Sequence, residues 1–416
     1  MVVNGAKCSC GKVHTCGVKK VIVKKNAISE LRELAADYKK IVYVADKNTE
    51  AVCGGAVRVQ LAGKIVGSIV YPDDGFLVPN ESAIERLEAV TPADADLIVG
   101  VGSGVIQDLC KYVSFRHKLP YFIVATAPSM DGYASSGAAM IIGGMKVTYS
   151  AHVPDVILGD VNVLKDAPMD MIRAGYGDIL GKFSCLNDWK LAVVVNDEYF
   201  CKEVYDQTYD MLMQTKDLGA RLLARDPDAI ETLMNALVGV GVAMAYAGNS
   251  RPASGSEHHL SHYFEVVGLV RDEPYFLHGI DVAYSAVVTE QLREKLLEKT
   301  PSFAENKFDE EAWAKEIRRV YGSAAEGVIA LQKKLGWHAE DRVADYKAKW
   351  DAICDVLREV PSSKELIAYL ASVELPMDRF YAQYSSQKLE DAIHYAMDLK
   401  DRYSVLWLYN TLEEKA

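Results

Sequence analysis

From Lys20 to Asp160, short apolar runs rich in β-branched residues alternate with amphipathic stretches. Val21 to Val23, Ile41 to Ala45, Lys64 to Tyr71, Leu97 to Gly102 and Tyr121 to Thr126 predict strands. Between them, Ile28, Leu31 and Leu34 share one helical face, and Thr49 to Leu61, Ser82 to Val90 and a stretch ending at Arg116 predict helices. Strands that are apolar throughout and separated by helices predict a parallel sheet covered on both faces. The period then changes. Ala138 to Tyr149 predicts a hairpin around Gly143 and Gly144, because paired glycines supply the positive φ of a tight turn. Asp155 to Asp160 predicts a last strand. From Asp166 onward the pattern is helical: Leu233, Leu237 and Val240 form an apolar stripe, and Ser362 with Glu365 forms a capping box. Pro301, Pro361 and Pro376 punctuate the later helices. The pattern predicts an α/β domain over residues 1–162 and an all-α domain over residues 163–416.

Composition narrows the function classes. Half of the 416 residues are hydrophobic and a quarter are charged, which excludes a disordered, collagenous or coiled-coil protein. A net charge of −12 argues against a nucleic-acid partner or an anionic membrane, yet permits a local pocket for a small anion. The longest apolar run, Ala236 to Gly248, spans 13 residues and contains three glycines. A membrane span needs about 20, so this run predicts a buried helix. The segment MVVNGAKCSCGK lacks the apolar stretch of a secretory signal, and eight cysteines are too sparse for a disulfide scaffold. The expectation is a soluble cytoplasmic protein.

LIVGVGSGVIQD, Leu97 to Asp108, reads as strand, glycine turn and helix start. Gly102 and Gly104 let the backbone approach a pyrophosphate, and the helix N-terminus offers free N–H groups to it. It is not a literal G-x-G-x-x-G and sits after the fourth strand, so alone it is equally a tight turn. Asp46 ends the second strand, where a carboxylate can accept from an adenosine ribose and repel a 2′-phosphate. Asp46 is equally placed to cap the following helix. Together the two features favour a Rossmann-like dinucleotide site with NAD over NADP.

The helical half carries candidate metal ligands. Asp178 lies on an otherwise apolar helix, where a carboxylate must be paired or metal-bound. His258 and His262 are four apart on one helical face, with His259 turned about 100° away. His278 precedes a further apolar helix. An Asp/His/His set leaves open positions, as catalytic rather than closed structural sites do. A second cluster, Cys8, Cys10, His14 and Cys16, could bind a soft metal, but its spacing is tighter than usual structural zinc motifs. Thiols on a loosely packed tail are the simpler expectation there.

GVGSGVIQDLCKYVSFR, ATAPSMDGYASSGA, GYGDILGKFSCLNDWKLA, SRPASGSEHHLSH and HGIDVA together resemble the AraM-like sn-glycerol-1-phosphate dehydrogenases. These belong to the superfamily of glycerol dehydrogenase, iron-containing alcohol dehydrogenases and dehydroquinate synthase. The resemblance runs over roughly Cys8 to Glu290. It implies a dinucleotide held by Gly102, Gly104, Asp108, Thr126, Ser129 and Ser135, with Asp46 at the adenosine ribose. It implies a divalent metal, nickel or zinc ahead of iron, on Asp178, His258 and His278, with Asp131, His262 and also Asp178 at the substrate. Pro128 and Met130 depart from the family's usual residues beside the nicotinamide.

The implied reaction is reversible hydride transfer between NAD(P)H and dihydroxyacetone phosphate in a cleft between the two domains, and a homodimer is the implied assembly. Arg251 and Lys182 are candidates for the substrate phosphate, each equally an ordinary charge. A glycerol or polyol dehydrogenase, a dehydroquinate synthase and a non-catalytic nucleotide-binding module are the competing expectations.

Overall fold

The computed structural model describes residues 4–72, 77–143, 145–298, 303 and 308–412. Among them, eight strands form two sheets: β1 (Lys20–Lys24), β2 (Ile41–Asp46), β3 (Ile65–Tyr71), β4 (Leu97–Gly102), β5 (Tyr121–Ala125), β6 (Gly137–Ile142), β7 (Met145–Ser150) and β8 (Val156–Asp160). Six strands make a parallel sheet in the order β1-β8-β5-β4-β2-β3. The parallel sheet predicted from the apolar runs is present. β4 and β5 are buried along their whole length. Alternate residues feed two cores: Tyr43, Val99 and Phe122 face one side, and Val44, Ile98 and Ile123 the other. The second of these cores continues into the helical half of the chain.

Topology places the ends of β2 and β4 together. From β2 the chain steps outward to β3, then returns past β2 to β4 and continues to β5. The winding therefore reverses between β2 and β4, the crevice where doubly wound sheets bind ligands. Ala45 pairs with Val101 there, which sets Asp46 beside Gly102 at the carboxyl edge. A glycine turn on the fourth strand in sequence thus occupies the switch point in space.

β6 and β7 form the expected antiparallel hairpin, with Gly143 at φ +60°. Gly144 and Pro301 lie outside the described residues. The stretch predicted as one helix from Thr49 begins earlier and is irregular. It runs Lys47–Thr49, a π turn over Glu50–Gly54, then Gly55–Gln60. Its N-cap is Asp46, whose Oδ1 accepts from Thr49 N–H at 2.9 Å while Asp46 N–H donates to Thr49 Oγ1 at 3.0 Å. The capping role weighed for Asp46 is therefore real, and it engages one carboxylate oxygen.

Beyond β8 the described residues contain no further strand. The apolar run from Ala236 is the C-terminal part of a 21-residue helix, Pro227–Ala247. It starts on an Asp226 cap with proline in its first turn and ends on Gly248 at φ +73°. By length and composition alone this helix could cross a membrane. Here Leu233, Leu237 and Val240 are buried in the core, and it packs on the Met169–Leu180 and Lys202–Thr215 helices. The Ser362–Glu365 capping box is formed. The N-terminal segment is not a loose tail: Cys8 and His14 are buried, and Cys8 packs with Trp189, Cys201 and Val204.

The helical half is tied by a buried polar knot. Arg293 donates to Asp188 Oδ1 at 2.9 Å, to Asn187 Oδ1 at 3.0 Å and to Ser184 Oγ at 3.1 Å. Asp188 also accepts from the N–H of Ser256 at 2.6 Å and of Val405 at 2.9 Å, joining segments far apart in sequence. Glu290, buried one turn from Arg293, is left at 3.8 Å from its guanidinium. Burial pushes the Glu290 carboxyl up to about 8, and Arg293 offsets this only in part. A carboxyl raised in the folded state favours the native protein while neutral, and that contribution is lost as pH rises through about 8. The Tm of Glu290→Gln should therefore gain on that of the unsubstituted protein between about pH 5 and about pH 8.5. Thermal unfolding at several pH values checks this, and parallel curves would refute it.

Candidate functional site

Two carboxylates and one ammonium form the centre of the site. Asp178 lies on the Met169–Leu180 helix and Lys182 begins the next one, Lys182–Asn196. One turn of separation puts the Lys182 Nζ 2.8 Å from Asp178 Oδ1. The same Nζ reaches Asp131 Oδ2 at 2.6 Å and the Ala253 carbonyl at 2.9 Å. Asp131 N–H donates to Asp178 Oδ2 at 3.0 Å, so both oxygens of Asp178 are engaged. All three charged side chains are buried.

Two histidines close on Asp178. His258 Nε2 lies 3.6 Å from Asp178 Oδ1, and the ring centroids of His258 and His278 are 5.1 Å apart. His258 Nδ1 is bonded to Glu257 Oε1 at 2.6 Å, and His278 Nδ1 to Glu265 Oε1 at 2.8 Å. Carboxylates on both Nδ1 atoms hold the rings and direct their Nε2 atoms inward, the usual arrangement behind metal-ligating imidazoles. Ligand atoms of Asp178, His258 and His278 lie within 4.8 Å of one another. His262 stacks on His278, with centroids 5.3 Å apart. His259 is buried in the core, away from this cluster, as its helical angle predicts.

Charge follows from these contacts. Burial and the Asp178 charge push the Asp131 carboxyl up to about 6 against the pull of Lys182. Burial alone would raise Asp178, but the ammonium of Lys182 holds it down to about 2. Burial, with Lys182 and His278 nearby, keeps His258 well below the ordinary histidine range, so its imidazole is neutral. A neutral His258 imidazole and an ionised Asp178 carboxylate are the protonation states that metal binding requires.

Of the predicted dinucleotide residues, Asp46, Gly102, Gly104 and Thr126 lie at the carboxyl ends of β2, β4 and β5. A Cβ on Gly102 would overlap Ile106, whereas beside Gly104 the nearest side-chain atom is Met130 Cε at 3.9 Å. Gly102 thus permits strand–helix packing, and Gly104 leaves the start of the Gly104–His117 helix approachable. Thr126 N–H donates to Gly102 O at 3.2 Å, linking the β4 and β5 turns. Asp108 lies 3.5 Å from the buried ammonium of Lys111, which also reaches Ser135 Oγ at 3.4 Å. Ser129 belongs to the loop that runs from β5 to Asp131. That loop touches both halves of the site: a Cβ on Gly175 would overlap the Pro128 carbonyl.

Arg251 does not serve the candidate site. Its guanidinium is paired with Glu198, including Nε to Oε1 at 2.6 Å, and donates to the Tyr403 carbonyl at 2.6 Å. Its motif contributes instead through Ala253 O on Lys182. Sequence reasoning missed Glu257 and Glu265 as supports of the histidines. An acidic residue directly before His258, and a second seven positions after it on the same helix, were the available signals.

The glycerol-1-phosphate dehydrogenase [NAD(P)+] of Geobacillus stearothermophilus is 30% identical over 98% of this chain and 96% of its own length. That of Halalkalibacterium halodurans is 34% identical over 69% of this chain and 74% of its own. The chain belongs to the glycerol-1-phosphate dehydrogenase family. Residues 22–168 also match the iron-containing alcohol dehydrogenase family. An archaeal halo-thermophilic alcohol dehydrogenase from a Red Sea brine pool shares the fold, with a TM-score of 0.61 over 93% of this chain and 92% of its own, at 13% identity.

In this family member, close helix packing sets the site's dimensions. A Cβ on Gly177 would overlap the Gly279 carbonyl oxygen, and one on Gly279 the Ala174 carbonyl oxygen. These glycines bring the helices bearing Asp178 and His278 into contact. Gly177→Ala should force them apart, costing about 1–3 kcal/mol of stability. Its activity should fall more than the loss of folded protein explains, as thermal unfolding and turnover per folded molecule would reveal.

Proposed function

We propose that this protein reversibly reduces dihydroxyacetone phosphate to sn-glycerol 1-phosphate with NADH or NADPH. The reaction would take place between an α/β domain, residues 1–162, and a helical domain, residues 163–416. Membership in the family supports the substrate class. The observation that carries the site is the meeting of Asp178, His258 and His278 beside the loop that leaves β5.

The donor set fits a divalent metal: one ionised carboxylate and two imidazoles whose Nδ1 atoms are already bonded. Nitrogen and oxygen donors suit nickel, zinc or iron alike. A metal held there supplies Lewis acidity toward a carbonyl or alkoxide oxygen. The carboxyl edge of the sheet suits a dinucleotide, because the Gly102–Gly104 turn leaves the start of a helix approachable at the switch point, and Asp108, Thr126, Ser129 and Ser135 would contribute from that helix and from the segment after β5. A nicotinamide bound there supplies or accepts the hydride.

The chain's own residues bind and orient. Lys182 holds Asp131 and Asp178 in one ion-paired unit, so the two carboxylates keep fixed positions and their mutual repulsion is partly offset. Asp131, bonded to Asp178, and His262, with its ring centroid 5.9 Å from that of His258, would orient the substrate hydroxyls. Burial excludes water, which strengthens each of these interactions. Positioning of two reactants is a large part of the rate enhancement expected from such a cleft.

Loss of NADH absorbance on addition of dihydroxyacetone phosphate tests this reading. Asp178→Asn and His258→Ala should each reduce kcat by at least about 10²-fold, the scale of losing one charge-stabilising group. A metal-reconstituted protein that leaves dihydroxyacetone phosphate unreduced would refute it. Equal rates with glycerol and glycerol 1-phosphate would assign it to polyol oxidation instead.

Cofactor choice can be tested apart from the helix cap. Asp46→Ser retains a capping oxygen while removing the charge. If the Asp46 carboxylate repels a 2′-phosphate, this variant should improve kcat/KM for NADPH relative to NADH about tenfold, equal to roughly 1.4 kcal/mol. An unchanged ratio would leave Asp46 with the capping role alone.

A further inference from the structure

The N-terminal segment folds into a small hairpin whose polar side chains converge. An antiparallel bridge joins Lys7 to Val13, Cys8 N–H donates to Lys12 O at 2.8 Å, and Gly11 N–H returns to Cys8 O at 3.0 Å. Gly11, at φ +88°, makes the turn. Cys8, Cys10 and His14 therefore come together despite their tight spacing. Cys16 does not join them: its N–H donates to Asn4 Oδ1 at 2.8 Å, and its thiol is outside the cluster. The fourth member is Cys201, which directly precedes the Lys202–Thr215 helix and is nearly 200 residues away in sequence.

We propose that Cys8, Cys10, His14 and Cys201 form a structural zinc site, separate from the Asp178–His258–His278 cluster. The four ligand atoms lie within 4.8 Å of one another. Cys8 Sγ is 3.6 Å from Cys201 Sγ, and His14 Nε2 is 3.3 Å from Cys10 Sγ and 3.4 Å from Cys201 Sγ. Zinc–sulfur bonds of about 2.3 Å and zinc–nitrogen bonds of about 2.0–2.1 Å make tetrahedron edges of roughly 3.8 Å and 3.6 Å. The observed separations are short of these by only a few tenths of an ångström. Three thiols and one imidazole are also the sulfur-rich, closed ligand set of structural zinc.

The surroundings prepare the ligands. His14 Nδ1 lies 2.6 Å from the Tyr246 carbonyl oxygen, which can only accept. Nδ1 therefore carries the proton, and Nε2 presents its lone pair to the sulfurs. The Tyr199 hydroxyl lies 3.2 Å from Cys10 Sγ and can donate to it, while Lys12 Nζ sits 3.3 Å from the Tyr199 ring centroid. Both features suit three thiolates around a divalent ion, a unit of net charge −1. On binding, three S–H protons pass to solvent as three sulfur–zinc bonds form, and nothing is oxidised.

Such a site explains how a short segment with few buried side chains stays docked. Its cross-link joins the amino terminus to the start of one helix and, through Tyr246, to the end of another. The chain beyond Tyr246 forms the loop whose Ala253 carbonyl receives Lys182. The cluster thus anchors one wall of the candidate active site.

Zinc K-edge X-ray absorption on the full-length protein, purified under reducing conditions, tests the proposal. Sulfur in the zinc shell reports on this cluster alone, because the Asp178–His258–His278 set contains none. Three sulfurs near 2.3 Å and one nitrogen are expected for this zinc. Cobalt exchanged into it should show thiolate-to-metal charge-transfer absorption. Cys10→Ser and Cys201→Ser should each lose this one zinc per chain and lower the Tm. A zinc shell of nitrogen and oxygen only, a different metal bound to the cysteines, or a Cys8–Cys201 disulfide in the native protein would overturn the assignment. The spectrum of the unsubstituted protein decides the matter even where a variant does not fold.

Discussion

The candidate site depends on what a buried carboxylate requires. Asp178 is fully enclosed on an apolar helix, where an unpaired charge would cost several kcal/mol. Its partners are drawn from three directions: Lys182 one turn ahead, the Asp131 amide from the β5 loop, and His258 from a separate helix. Meeting that one requirement brings a strand loop of the α/β half and three helices of the other half to a single point. Removing a partner from such a buried pair costs about 3–5 kcal/mol, so the constellation behaves as a unit.

The same economy governs the histidines. Each imidazole has two nitrogens, and binding a ligand with one is reliable only if the other is held. Glu257 and Glu265 do this for His258 and His278, both from the Ser256–Arg271 helix. The N-terminal cluster uses a different device for the same purpose, a backbone carbonyl at His14 Nδ1. The two clusters also differ in donor hardness. Oxygen and nitrogen gather where chemistry is proposed, and sulfur where a cross-link is.

Sheet winding supplies the other half of the design. Parallel strands direct their carboxyl ends to one edge, and reversal between β2 and β4 opens a crevice there. Asp46, the Gly102–Gly104 turn and the loop from β5 therefore face a common space. Tight contacts at Gly175 and Gly177 then press the helical half against that edge. Candidate dinucleotide and metal-ligand residues become neighbours because backbones, rather than long side chains, meet at the seam.

Much of this was legible in the sequence, because periodicity and local chemistry act over short distances. Uninterrupted apolar strands between amphipathic helices specified a parallel sheet, Gly143 marked a turn that needs a positive φ, and Gly102 and Gly104 marked a turn that needs space beside the backbone. Asp178 on an apolar helix and histidines at helical spacing already indicated a metal-type site. Other features needed long-range pairing that no local pattern encodes. The strand order alone put the fourth strand's turn at the switch point, since register and neighbour choice depend on which surfaces pack. Arg251 proved to be committed to Glu198, and Lys182 to two carboxylates, because a charge's role is set by whatever burial places opposite it. Cys201 replaced Cys16 for the same reason: proximity along the chain gave way to proximity created by folding.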